Sequence, residues 1–186
     1  MMTIQLVPWH EWDAASYARM LRHVDFRYLE DTYLLYRDEA AAKIHLCSIL
    51  RDEKERGDLY RAVMVEGELV GEVQVVSQEG VHSIDACLGC LLREEYTGRG
   101  IGYEASRQII DMAFAKNAYE RLSADVYSPN KASIGMLEKL GFTREVTLRH
   151  GVYKDGHTYD VHRYGLLREE VGVGAYPRVS PADIIN

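Results

Sequence analysis

The chain has 186 residues, with 22 Lys plus Arg against 29 Asp plus Glu, for a formal net charge of -7. One domain of the common ~100–200 residues accounts for that length, and a hydrophobic content of 47% excludes a disordered or fibrous chain. The acidic balance excludes broad phosphate-backbone binding, which needs a basic face to release counterions, so nucleic acid is not an expected partner; a cationic substrate would be drawn to such a surface.

In chain order, residues 3–8 read as a first strand and residues 11–22 as a helix, with Ala14, Tyr17, Ala18 and Leu21 at spacings of three and four. Residues 25–36 are rich in aromatics without a period. The helical period returns over residues 38–56 through Ala40, Ile44, Cys47 and Leu50, and Gly57 supplies a left-handed stop. From Leu59 the period changes to two, with Tyr60, Ala62 and Met64 alternating; Glu66-Gly67 then turns the chain into a strand over residues 69–76. A turn at residues 78–80 leads to a third strand over residues 82–92, which completes an antiparallel meander. There follow a loop at residues 97–102, a helix over 103–116, a strand over 121–127 and a helix over 131–140 ending at Gly141. Strands over residues 143–153 and 157–167 close the order around Lys154-Asp155-Gly156. The class is α/β with one mixed sheet. Residues 1–171 form the expected single domain, and residues 172–186, with two prolines and two glycines, an irregular tail.

No apolar run approaches the ~18–20 residues needed to span a bilayer, and the first residues lack the basic-then-apolar layout of a signal peptide. Three cysteines, Cys47, Cys87 and Cys90, are too few and odd in number for a disulfide framework. A soluble, cytoplasmic protein is expected, with no membrane partner, as a monomer or homodimer. Cys87 and Cys90 have CxxC spacing but sit inside an apolar strand pattern without a second ligand pair. They read as small buried hydrophobes, and no metal is expected.

The most informative stretch is Tyr96-Thr97-Gly98-Arg99-Gly100-Ile101-Gly102, between a strand and a helix whose core side includes Ala105, Ile109, Met112 and Ala113. Glycine lets successive backbone N–H groups converge on an anion, and the following helix adds unpaired N–H groups and the positive end of its dipole. A pyrophosphate belongs there. A Walker A loop is excluded because Gly-Lys-Ser/Thr is missing. A dinucleotide pattern is met by Gly100, Gly102 and Ala105, but Glu120, the candidate ribose ligand, precedes its strand instead of closing it.

The third class is coenzyme A. Thr97, Gly98, Arg99, Gly100, Ile101 and Gly102 resemble the phosphate motif of the GNAT superfamily of N-acetyltransferases, Arg/Gln-x-x-Gly-x-Gly/Ala, with Thr97 in place of Arg or Gln and Arg99 as the expected substitute. Asn130, Ser133, Glu138, Lys139, Leu140, Gly141 and Phe142 resemble the family's Asn-xx-Ser/Ala...Glu-Lys-Leu-Gly-Phe segment. That form is most like the ribosomal-protein N-terminal (Rim-type) and related small-amine acetyltransferases, whose later Gly...Asp...Tyr pattern is echoed by Gly156, Asp160 and Tyr164. The resemblance implies a GNAT-like acyl-CoA N-acyltransferase fold, acetyl-CoA as cosubstrate and a primary amine as acceptor. That acceptor is either a protein N-terminus or a small molecule such as a polyamine or amino-sugar drug. It further implies that Leu91 and Leu92 offer backbone groups to pantetheine at a splayed strand edge and that Asn130 meets the same arm while capping its helix.

An amine attacking a thioester must first lose its proton, and an alkylamine has a pKa near ~10.4, so a carboxylate acceptor is expected. Asp125 stands where some N-terminal acetyltransferases of the family carry a glutamate, and Glu72, on the same side of its strand as Gln74, is the second candidate. The tyrosine that many members use as proton donor is replaced by Leu137. Ser133 is the expected substitute, because related enzymes place a serine there facing the cofactor sulfur; Tyr127 and Tyr164 are further candidates. Direct attack in a ternary complex is favoured over a covalent route through Cys87 or Cys90. Two rival readings remain: a catalytically degenerate CoA-binding regulatory module, and a dinucleotide-binding protein.

Overall fold

The computed structural model describes residues 2–78, 84–116 and 119–171. Residues 79–80 of the turn expected at 78–80, the first two residues of the strand expected from His82 and the tail at residues 172–186 lie outside them. The strands are β1 (Ile4–Pro8), β2 (Leu59–Val65), β3 (Glu68–Ser77), β4 (Asp85–Leu92), β5 (Arg121–Tyr127), β6 (Thr143–Lys154) and β7 (His157–Leu167). The helices are α1 (Ala14–Leu21), α2 (Thr32–Leu35), α3 (Glu39–Arg56), α4 (Ile101–Lys116) and α5 (Lys131–Lys139). Seven strands form one mixed sheet in the order β1-β2-β3-β4-β5-β7-β6. Only the β4–β5 pair is parallel among its neighbours, because the crossover through α4 returns the chain in the same direction.

Alternation along the strands gives the sheet two apolar faces. Val63, Val73 and Val75 of the meander join Leu122, Ala124 and Val126 of β5 under Ala105, Ile109 and Ala113 of α4. On the opposite face, Tyr60, Ala62 and Leu91 pack beneath Tyr17, Ala18 and Leu21 of α1 and Ala42, Leu46 and Ile49 of α3. The expected inward stripe of α3 is therefore corrected. Ala40, Ile44 and Cys47 face outward, with Ile44 74% exposed. Both stripes have helical spacing, and the contact with α1 selects the second.

Asp38 caps α3 by accepting a hydrogen bond from Ala41 N at 3.0 Å, and Gly57 ends the helix at φ 75°. Residues 11–13 form a 3₁₀ turn before α1, so the first helix is shorter than its periodicity suggests. Residues 25–36, expected to be irregular, contain α2. They are fastened to the far end of the sheet by the buried Lys154, whose Nζ donates to Phe26 O at 2.7 Å and to Leu29 O and pairs with Asp31 at 2.7 Å. Among the described residues no helix is long and apolar enough to cross a membrane.

Candidate active site

The site is organised by a gap in the sheet. β4 and β5 pair only at Asp85–Arg121, Ala86–Leu122 and Cys87–Ser123. Beyond Cys87, β4 stays with β3 as far as Leu92 opposite Gly71, whereas β5 stays with β7 as far as Tyr127 opposite Val161. Among the described residues no strand pairs with residues 88–92 on the side facing β5. The splayed edge expected at Leu91 and Leu92 is thus present, and its unfilled backbone groups can receive an extended ligand as an added strand.

A cleft of about 430 Å³ opens on the α4 side of the gap. It is lined by Cys90 and Leu92 of β4, by Thr97, Gly98, Gly100 and Gly102, and by Ser133, Met136, Lys131 and Lys139 of α5. Gly98 and Gly100 have φ of +70° and +79°, a left-handed backbone, and a Cβ on either would meet nothing within 4 Å. Side chains are excluded there by backbone conformation and not by crowding. The helix begins at Ile101, two residues before the periodicity places it, so turn and helix N-terminus are continuous. Among the described residues, the amides of residues 98–103 have no protein acceptor; the first paired one is Glu104 N, to Gly100 O at 3.1 Å. Those free donors, together with the positive end of a 16-residue helix, form an anion cradle.

The remaining residues expected around that cradle divide. Thr97 lines the cleft, but its hydroxyl donates to Glu94 O at 2.8 Å and is used in the preceding turn. Arg99 lies over the Tyr96 ring at 5.2 Å and is not among the residues lining the cleft. Ile101 is fully buried in the core, which leaves its amide as its contribution. Asn130 Oδ1 accepts from Ser133 N at 3.2 Å and caps α5. The Leu91 side chain points to the opposite face, where it is buried beneath α1 and α3.

On that opposite face a second cleft of about 200 Å³ reaches the same gap. Its lining includes Tyr28, Glu30, Tyr33, Glu72, Gln74, Asp125 and Tyr127, and Cys90 is shared with the first cleft. Glu72 and Asp125 are therefore brought to one cavity, in different states. Asp125 is engaged by Arg163 in a two-pronged pair at 2.8 and 2.6 Å. Glu72 is 1% exposed, neither carboxylate oxygen has a hydrogen-bond partner, and burial pushes its pKa up to about 8. Trp9 and Tyr17 lie near enough to offset part of that rise, yet neither meets hydrogen-bond geometry. A carboxylate desolvated without a partner is costly to keep charged.

Burial likewise pushes the thiols of Cys87 and Cys90 up to about 11, and all three cysteines are free. Tyr164 is buried and donates its hydroxyl to Glu138 at 3.2 Å, outside both clefts. Leu137 is in the core. Tyr127 of this wall is one of the tyrosines expected as a proton donor, whereas Tyr28, Glu30 and Tyr33 carry no motif and the aromatic richness of residues 25–36 is their one sequence signal.

Residues 3–143 match the family model described as an acetyltransferase (GNAT) domain. The SPbeta prophage-derived uncharacterized N-acetyltransferase YokL of Bacillus subtilis (strain 168) is 38% identical over 77 residues, 41% of this chain and 44% of that protein. The uncharacterized N-acetyltransferase p20 of Bacillus licheniformis is 31% identical over 102 residues, 52% of this chain and 57% of that protein. The chain thus spans about half the length of the curated relatives it matches. RimL, a ribosomal L7/L12 alpha-N-protein acetyltransferase solved with coenzyme A, superposes with a TM-score of 0.80 at 18% identity, covering 89% of this chain and 94% of that one. The ribosomal-protein-S5-alanine acetyltransferase of Vibrio fischeri gives 0.77 at 20% identity, over 91% and 94%. At such identities the likeness shows the fold, and the family model covers most of the chain: the chain belongs to the GNAT acetyltransferase family.

Proposed function

We propose that this protein is an acetyl-CoA-dependent N-acetyltransferase that acts on a primary amine by direct attack in a ternary complex. One observation carries the reading: a cradle of free amides at residues 98–103 opens into a cleft that meets, through the β4–β5 gap, a second cleft holding an unpartnered buried carboxylate. The cradle fits a diphosphate, and residues 88–92 fit an extended arm reaching the gap. Bound there, acetyl-CoA supplies an activated acyl group.

The chain's own residues handle the proton. An alkylammonium with a pKa near ~10.4 is about six units above an ordinary carboxylate but only about two above a group at about 8. Glu72, through a water, is therefore the better acceptor, and its pKa lies where a general base works at near-neutral pH. Asp125, held by Arg163, is assigned to shaping the acceptor cleft. The bound ammonium first gives one proton towards Glu72, which passes it on to solvent; the nitrogen then gains the acyl carbon and loses its second proton as the carbon–sulfur bond breaks, and the departing sulfur takes up one proton, with Ser133, reprotonated in turn, as the donor lining that cleft. Amides of the β4 edge at residues 88–92 are the donors available to a developing oxyanion. With Cys87 and Cys90 at about 11, roughly one thiol in a thousand is ionised at pH 8, which favours direct attack over an acyl-cysteine.

Residues 1–171 are read as one catalytic unit, since both cores share one sheet, working in the cytoplasm as a monomer or homodimer without a metal. Thiol release from acetyl-CoA across a panel of protein N-terminal peptides and small amines tests the reading. Turnover with at least one amine is expected. Tight CoA binding with no turnover on any amine would replace it with a CoA-binding regulatory module.

A further inference from the structure

The carboxyl groups lining the second cleft have no basic side chain among them. Three carboxylates, Glu30, Glu72 and Asp125, are in its lining, and no Lys or Arg is. Asp125 is neutralised by Arg163. Neighbours of Glu30 in the chain are also engaged, Asp25 with Arg27 at 3.6 Å and Asp31 with Lys154 at 2.7 Å. Among the described residues the Glu30 side chain itself has no ion pair or hydrogen bond. The cleft thus has two uncompensated acidic groups: Glu72, sealed in the floor beside the gap, and the exposed Glu30.

The wall beside Glu30 is aromatic. Tyr28 stands edge-on to both Tyr127 and Tyr159, at 6.4 Å from each, and Tyr127 stacks on Tyr159 at 6.1 Å. Burial first, then the Glu30 and Asp31 carboxylates, raises the Tyr127 hydroxyl, so Glu30 acts on that ring. The Tyr28 ring already takes one cation, Arg27, at 5.9 Å, and Arg27 is itself paired with Asp25. Tyrosine faces backed by a carboxylate attract ammonium groups.

We infer that the acceptor is a linear α,ω-diamine, its reacting amine at the Glu72 end and its second ammonium held by the Glu30 carboxylate and the Tyr28 and Tyr127 rings. This rests on the acetyltransferase reading above and names its substrate class. Leu29 and Tyr33, also in the lining, suit methylene groups. A short linear diamine has an ammonium at each end of an apolar chain, matching a lining with acidic groups and aromatic and aliphatic side chains. An amine bearing a carboxylate at the far end would be repelled by Glu30.

The test compares 1,4-diaminobutane and 1,5-diaminopentane with n-butylamine, n-pentylamine and 5-aminopentanoate, and with short peptides bearing a free N-terminus. Each is measured by thiol release and by isothermal titration onto the CoA-loaded full chain. The diamines should exceed the monoamines of equal length in kcat/KM and in affinity by about tenfold or more. The amino acid should fall below both. Glu30→Gln, an exposed loop change, should bring diamine and monoamine to within about threefold of each other, chiefly through KM. Equal values for diamine and monoamine in the native protein, a diamine preference that survives Glu30→Gln, or preference for the peptides would overturn the assignment. The titration keeps the two readings apart: selective diamine binding without turnover sinks the enzymatic reading and upholds the recognition, whereas turnover of monoamines and diamines alike does the reverse.

Discussion

The two clefts that meet at the β4–β5 gap are made of different material. On the α4 side the ligand-facing groups are mostly main chain: free amides of one glycine-rich turn, a helix end and a bare strand edge. On the α1 and α3 side they are side chains from three distant places: Tyr28 and Glu30 before α2, Glu72 in β3, and Asp125 and Tyr127 in β5. A main-chain grip serves a ligand that never changes and tolerates drift in surrounding side chains. A side-chain grip is rebuilt by single substitutions, so on the proposed function one scaffold would keep its acyl donor while its acceptor varies.

Substitutions on the two sides should therefore separate donor from acceptor behaviour. The largest effect is expected for Glu72→Gln, which should lower kcat about a hundredfold or more while CoA affinity holds. In the native protein the rate should rise with pH through about 8 as Glu72 ionises, and the variant should lose that inflection. The same residue carries an opposite signature in stability. A carboxyl raised above its unfolded value binds its proton more tightly in the native state, so its contribution is fully present below about 4.5 and is lost as pH rises through about 8. Denaturant titrations should show a decline approaching 1.4 kcal/mol per pH unit across that window, about what one proton gives, and Glu72→Gln should flatten it.

Next is Lys154→Met, which leaves Phe26 O, Leu29 O and Asp31 without their shared donor. A loss of about 2–3 kcal/mol is expected, with acceptor KM raised more than CoA Kd. Gly100→Val, forcing a branched residue to φ near +79°, should do the converse. It should weaken CoA binding by about tenfold, measured by titration, with little change in acceptor KM. The smallest effect belongs to Asn130→Ala, about 1 kcal/mol by chemical denaturation, from the lost cap of α5.

The same contrast explains what could be read beforehand. The glycine turn, the Asn130-capped helix and the order of strands were legible because each rests on adjacent residues, and β5 and β7 were placed to the residue. The α3 face was misplaced because Ala40, Ile44 and Cys47 repeat as well as Ala42, Leu46 and Ile49 do, and only the partner helix distinguishes them. Asp125 is the leading proton acceptor in the sequence because it stands where some members of the resembled family carry a glutamate. Its engagement by Arg163, 38 residues away, and the seclusion of Glu72 under Trp9 and Tyr17 arise from tertiary packing. Residues 25–36 advertised aromatic content but not which rings would gather, since Tyr28 meets its partners only across the sheet.

The fastening of residues 26–31 by Lys154 also sets an order of events at the ribosome. Lys154 reaches Phe26 across 128 residues, and it emerges after the glycine turn, α4, β5 and α5 have all been synthesised. The segment that walls the second cleft therefore waits for an ammonium made 128 residues after Phe26, and a chain cut just short of that lysine keeps every residue of that segment but loses its latch.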